Sequence, residues 1–180
     1  HLMNGLEYAD LVKELDEYRS DFDQIVLGEP LLTSDEDYEA VIQAITEDTK
    51  AYDDGETAIV YMGHGTEAES NQVYGNMQEK LTAAGYTNYY VGTVEAEPTL
   101  EDVIKALKEA GTYKKVVLQP LMVVAGDHAN NDMAGEEEDS WRIALEAEGY
   151  EVESRLTGLG ELAAIRELYV KHTQVAIDSL

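Results

Sequence analysis

The chain has 180 residues, of which 44% are hydrophobic, enough to bury the core of one ordinary domain and too apolar for a disordered segment. Lys and Arg total 12 against 38 Asp and Glu, a formal charge of -26, and such a field repels nucleic-acid phosphates and anionic lipid while attracting metal cations. No apolar run approaches the roughly 20 residues of a membrane-spanning helix, and the absence of cysteine excludes disulfides, thiolate metal sites and cysteine nucleophiles.

Glu7–Tyr18 places Leu11, Leu15 and Tyr18 at helical spacing, with Tyr8 one turn earlier. Ahead of it, His1-Leu2-Met3 has no initiator methionine and reads either as a cloning scar or as the cut end of a longer chain. Gln24–Leu27 is a short β-type run ended by Gly28 and Pro30. Ser34 opens a second helix, with Asp37 three residues on as a capping partner and Val41, Ile42 and Ile45 as its apolar stripe. Asp53-Asp54-Gly55 turns the chain into an apolar strand over Thr57–Met62.

A repeat of strand, loop and helix follows. Gly63-His64-Gly65 leads to a helix that Gly85 stops, and Tyr89–Val94 is the next strand. Glu95 and Pro98 precede a helix from Thr99 to Gly111. Lys115–Leu118, continuing into Val124, reads as a buried strand with its exit loop. A long acidic loop over Gly126–Asp139 precedes a helix around Trp141–Ala147, a last strand over Glu151–Leu156, the turn Gly158-Leu159-Gly160 and a closing helix over Ala163–Ile177. This alternation predicts an α/β fold, a doubly wound parallel sheet covered by helices on both faces.

Ligands of such sheets lie beyond the carboxyl ends of the strands. His64 follows one strand, Glu95 the next, and His128 the loop after the third. The separations are 31 and 33 residues, each about one βα unit, so all three are expected on one edge of the sheet. Two imidazoles and a carboxylate suit first-row divalent ions such as Co, Ni, Zn or Fe, and the glycines beside His64 are expected to leave it open to a bulky planar ligand. His172, in the closing helix, reads as a surface or packing residue. The run Glu136-Glu137-Glu138-Asp139 reads as a solvated helix start, and Gly158-Leu159-Gly160 lacks the pattern of a phosphate loop.

Several stretches resemble a known family. They are Met62-Gly63-His64-Gly65, Val91-Gly92-Thr93-Val94-Glu95, the run from Pro120 through Gly126-Asp127-His128-Ala129-Asn130-Asn131-Asp132-Met133-Ala134, Asp139-Ser140-Trp141 and Leu156-Thr157-Gly158-Leu159-Gly160-Glu161. These resemble the anaerobic (class II) sirohydrochlorin cobaltochelatases of cobalamin biosynthesis, from end to end of the chain. In that family two histidines and a glutamate bind cobalt, and the matching positions are His64, Glu95 and His128.

The resemblance implies two similar α/β halves facing across a cleft, the first incomplete. Residues 1–54 would be the remainder of the N-terminal half, and 55–180 the C-terminal half carrying the metal site, with the closing helix at about 163–178. The first strands and a Gly/Ser-rich loop of the family pattern are expected outside these residues, leaving an exposed sheet edge or a partner chain. Leu2-Met3-Asn4-Gly5-x-Glu7 faintly echoes Leu121-Met122…Gly126-Asp127, as a duplication would.

It also implies insertion of Co2+ into sirohydrochlorin, with cobalt as the substrate metal and no nucleotide. His64 is expected as proton acceptor and ligand, and Glu95 as ligand and receiver of the second proton. Asp127 is expected to orient His128, and Arg142, Arg155 and Arg166 to meet the carboxylates of the tetrapyrrole. The alternatives are an iron- or nickel-inserting chelatase, a non-catalytic haem or tetrapyrrole carrier, and a plain metal-binding module. Homo-oligomerisation stays open. The compartment expected is the cytoplasm, with the periplasm as the alternative.

Overall fold

Four strands make one parallel sheet in the order β2-β1-β3-β4: β1 (Thr57–Gly63), β2 (Tyr89–Thr93), β3 (Lys115–Pro120) and β4 (Glu151–Ser154). The structure is a computed structural model that describes all 180 residues. β1 is central and buried along its whole length, which is why it reads as an unbroken apolar run rather than an alternating one.

Alternate side chains of β1 enter two cores, as the period of a strand requires. Ile59 and Tyr61 face a core built with α2 (Asp35–Thr49), α3 (Gln72–Ala83) and Ile165 of α6 (Ala163–Asp178). Ala58, Val60 and Met62 face the other, with α4 (Leu100–Ala110), α5 (Trp141–Ala147), Ala129 and Met133. Leu31, Leu32, Tyr38, Val41, Ile42 and Ile45 therefore share one core with the sheet. The first helix, α1 (Leu6–Glu17), buries no residue and is tied down by its Tyr8 hydroxyl, which donates to the Gly28 carbonyl at 3.1 Å.

Helix boundaries follow local chemistry. Ser34 and Asp37 form a reciprocal capping box at α2, and Thr99 and Asp102 form another at α4. Gly111 ends α4 with φ of 66°, a left-handed conformation that glycine adopts without steric cost.

The structure departs from the sequence expectations in four places. Gln24–Leu27 forms no strand, because no neighbouring strand is there to pair with it, and residues 1–54 contain none. Leu31 and Leu32 instead donate to the carbonyls of His1 and Leu2. β3 stops at Pro120, and Val124 is 71% exposed rather than buried. β4 stops at Ser154, short of Leu156. The acidic loop contains a π-helical turn, Ala129–Met133, whose two ends are fully buried.

His172 is also more than a packing residue. It lies on α6 and is buried against α2, its Nε2 at 2.8 Å from Asp37 Oδ1 and its Nδ1 at 3.1 Å from the Glu29 carbonyl.

Candidate metal centre

The register of the sheet carries two of the three candidate ligands to one point. Gly63 pairs with Thr93 at the end of the β1–β2 ladder. The ladder continues beyond both strands, with the amide of Val94 donating to Gly63 at 3.0 Å and that of Glu95 donating to His64 at 2.9 Å. His64 Nε2 and Glu95 Oε1 consequently lie 3.7 Å apart.

His128 arrives by another route. Seven residues separate it from the end of β3, and the π turn behind it plugs Ala129 and Met133 into the core beside Met62 and Trp141. That folds the loop back across the end of β1. The rings of His64 and His128 meet edge to face, their centroids 4.5 Å apart. One ligand atom from each of His64, Glu95 and His128 lies within 4.8 Å of the others. Ligand atoms bonded to one divalent ion at about 2.0–2.2 Å stand roughly 3–3.5 Å apart, so small side-chain rotations complete such a site.

Hydrogen bonding selects which nitrogens point inward. His64 Nδ1 faces the Gly65 carbonyl at 2.9 Å, and His128 Nδ1 faces Asp132 Oδ2 at 2.6 Å. A carbonyl or carboxylate only accepts, so both Nδ1 atoms carry hydrogen and both Nε2 lone pairs are free for a cation. The carboxylate behind His128 is Asp132, not the expected Asp127, which is exposed and makes no hydrogen bond to the ring. A four-residue spacing on a helical turn brings side chains together, whereas adjacent residues point apart. The i,i+4 pair was therefore the signal to look for.

Both glycines beside His64 have packing reasons beyond leaving it open. A Cβ on Gly63 would overlap the Tyr74 ring, and Gly65 has φ of 88° with its missing Cβ 2.8 Å from the Ala96 nitrogen. Tyr74, from α3, accepts a hydrogen bond from the Gly65 amide at 3.3 Å. Burial pushes its phenol up, and bonds from the Gly65 and His64 amides draw it partly back. Asn71 joins the two ligand loops, accepting from the Thr66 amide at 3.1 Å and donating to the Glu97 carbonyl at 2.6 Å. Neither Tyr74 nor Asn71 carries a sequence signal for this role. Gly63→Ala is expected to destabilise the chain by about 1–3 kcal/mol through overpacking, read as a lower urea midpoint. An unchanged midpoint would mean that the Tyr74 ring moves aside freely.

The three arginines expected to meet substrate carboxylates are engaged by the protein. Arg142 donates to the Ala134 and Gly135 carbonyls, Arg155 to Asp48 and Gln119, and Arg166 to the Gly160 and Glu161 carbonyls. The centre itself is open, with the side chains of His64, Glu95 and His128 36–54% exposed, so a large flat molecule can reach it. No helix is long and apolar enough to cross a membrane.

A family model described as cobalt chelatase (CbiK) matches residues 1–178. A sirohydrochlorin cobaltochelatase of Salmonella typhimurium is 38% identical over 178 residues, covering 99% of this chain and 66% of that protein. Sirohydrochlorin cobaltochelatase CbiKC of Nitratidesulfovibrio vulgaris is 31% identical over 182 residues, covering 100% of this chain and 64% of that protein. The chain thus spans just under two thirds of the length of these relatives.

Proposed function

The chain belongs to the cobalt chelatase family, and from that premise we propose that it inserts Co2+ into sirohydrochlorin, without a nucleotide, at the centre formed by His64, Glu95 and His128. The observation that carries this reading is the convergence of two free Nε2 lone pairs and one carboxylate at an open sheet end.

Insertion replaces two pyrrole N–H bonds with two bonds from nitrogen to cobalt and releases two protons, so the overall charge is unchanged. The chain has to hold the ion against one face of the macrocycle and take up those protons. Glu95 offsets part of the charge of the ion while the ion sheds water. His64 Nε2 receives one proton as it lets the ion go, and the Glu95 carboxylate receives the other. An imidazole suits this step because it changes protonation state near neutral pH. Two imidazoles and a carboxylate do not discriminate sharply among Co2+, Fe2+ and Ni2+, so supply of the metal contributes to the outcome.

The test is the absorbance of metallated sirohydrochlorin after mixing the chain with sirohydrochlorin and Co2+, Fe2+ or Ni2+ in turn, with and without ATP. The expected result is insertion of cobalt above the uncatalysed rate, indifferent to ATP. Tetrapyrrole binding with no insertion above the uncatalysed rate would make the chain a carrier instead.

A further inference from the structure

The two imidazoles are held by different kinds of acceptor. His64 gives its Nδ1 hydrogen to a neutral backbone carbonyl, that of Gly65, whereas His128 gives its own to the carboxylate of Asp132 at 2.6 Å. Taking His64, Glu95 and His128 as ligands, as proposed above, we infer that Asp132 is the positioning residue that makes His128 the anchoring ligand and leaves His64 to release the ion.

A carboxylate behind an imidazole fixes its tautomer, orients its ring and feeds electron density toward the nitrogen that meets the metal. A carbonyl fixes the tautomer but contributes no net charge. The chain also holds Asp132 in place before any ion arrives. It sits inside the π turn Ala129–Met133, closed by the Ala134 amide donating to the Ala129 carbonyl at 3.2 Å. Ala129 and Met133, at the two ends of that turn, are fully buried, so the backbone under the carboxylate is pinned by the core while the carboxylate itself stays at the rim. A π turn is rare and recurs at functional sites. Here its effect is to hold His128 and Asp132, four residues apart, with His128 beside His64.

His64 is placed differently. Its turn is held by Tyr74 and by the close approach of Gly65 to Ala96, and its side chain has no charged partner other than Glu95. It is therefore the weaker anchor, and Glu95 is at hand as the ion transfers.

The experiment is a Co2+ titration of the chain, following the visible d–d absorption of the bound ion, for the wild type and for Asp132→Ala, Asp132→Asn, Asp127→Ala, His64→Ala and His128→Ala. Asp132→Ala is expected to weaken Co2+ binding by roughly 10- to 100-fold and to shift the absorption band. Asp132→Asn, which keeps an acceptor oxygen without the charge, should fall between it and the wild type. Asp127→Ala should match the wild type, and His128→Ala should lose more affinity than His64→Ala. Wild-type affinity and spectrum in Asp132→Asn, and in Asp132→Ala with unchanged circular dichroism, would overturn the positioning role. Equal losses in the two histidine variants would overturn the division of labour. A wild-type chain that binds no Co2+ would instead remove the ligand assignment, and this inference with it.

Discussion

His64→Ala is expected to abolish cobalt insertion, a loss of roughly 10²- to 10⁴-fold or more in rate, while tetrapyrrole binding survives. The imidazole is the one side chain that combines a free Nε2 lone pair, a place 3.7 Å from Glu95 and a solvent-facing position on a turn. On the function proposed above, removing it takes away both a ligand and the group that accepts a pyrrole proton. It removes no core contact, because its side chain is 42% exposed and the turn is held by backbone bonds to Val94 and Glu95 and by the Tyr74 hydroxyl. The expected signature is therefore a folded chain, unchanged in circular dichroism, that still perturbs the absorbance of added sirohydrochlorin but does not convert it. Free imidazole added at high concentration should restore part of the rate. Insertion by His64→Ala at the wild-type rate would remove this histidine from catalysis.

The largest effect on stability is expected at the buried pair of Asp37 and His172. One carboxylate there does two jobs. Asp37 Oδ2 accepts from the backbone amide and hydroxyl of Ser34, capping α2, and Asp37 Oδ1 accepts from His172 on α6. Both nitrogens of His172 face acceptors, so both are satisfied only when both carry hydrogen. Asp37→Ala leaves His172 Nε2 without its acceptor at a site less than a tenth exposed and removes the cap of α2, which together cost about 2–5 kcal/mol. Urea unfolding at neutral pH measures it, and a loss under about 1 kcal/mol would mean that water reaches the ring.

The same pair sets a pH dependence. Burial raises the pKa of Asp37, but hydrogen bonds from the Ser34 amide, from His172 and from the Ser34 hydroxyl outweigh it and hold the carboxyl below its usual value. The native state then binds fewer protons here than the unfolded chain. The stabilisation is complete above the unfolded carboxylate value of about 3.9 and is lost as pH falls through the lower native value. Asp37→Asn should therefore flatten the decline in stability below about pH 4. Parallel pH curves for variant and wild type would assign the acid sensitivity to other carboxylates.

The readable and unreadable parts of this chain divide by the range of the physics behind them. Capping boxes at Ser34 and Thr99, the glycine stop at Gly111 and the buried run of β1 are local, and they stand where the residue pattern puts them. Gln24–Leu27 has the composition of a strand, but a strand exists only where a partner does, and that partner is not encoded within the segment. Glu136–Asp139 reads as a solvated run and is one, whereas the π turn ahead of it was hidden in the same loop. Its apolar residues, Ala129 and Met133, are only two, too few to register as a helical stripe.

By itself the sequence determined the α/β class, the absence of thiol chemistry, and the three residues that could hold a metal, because a parallel sheet brings every strand end to one edge and the repeat length sets their spacing. Tertiary structure alone decided how those residues are aimed. The β1–β2 register extends one step past the strands to bring Glu95 to His64, and the buried ends of the π turn swing His128 back across β1 with Asp132, not Asp127, behind it. It also made His172 half of a buried hydrogen-bonded pair with Asp37, 135 residues away. These contacts depend on where distant segments pack, and the free energy that selects them is the burial of side chains contributed by many elements at once. No local pattern in the chain carries that information.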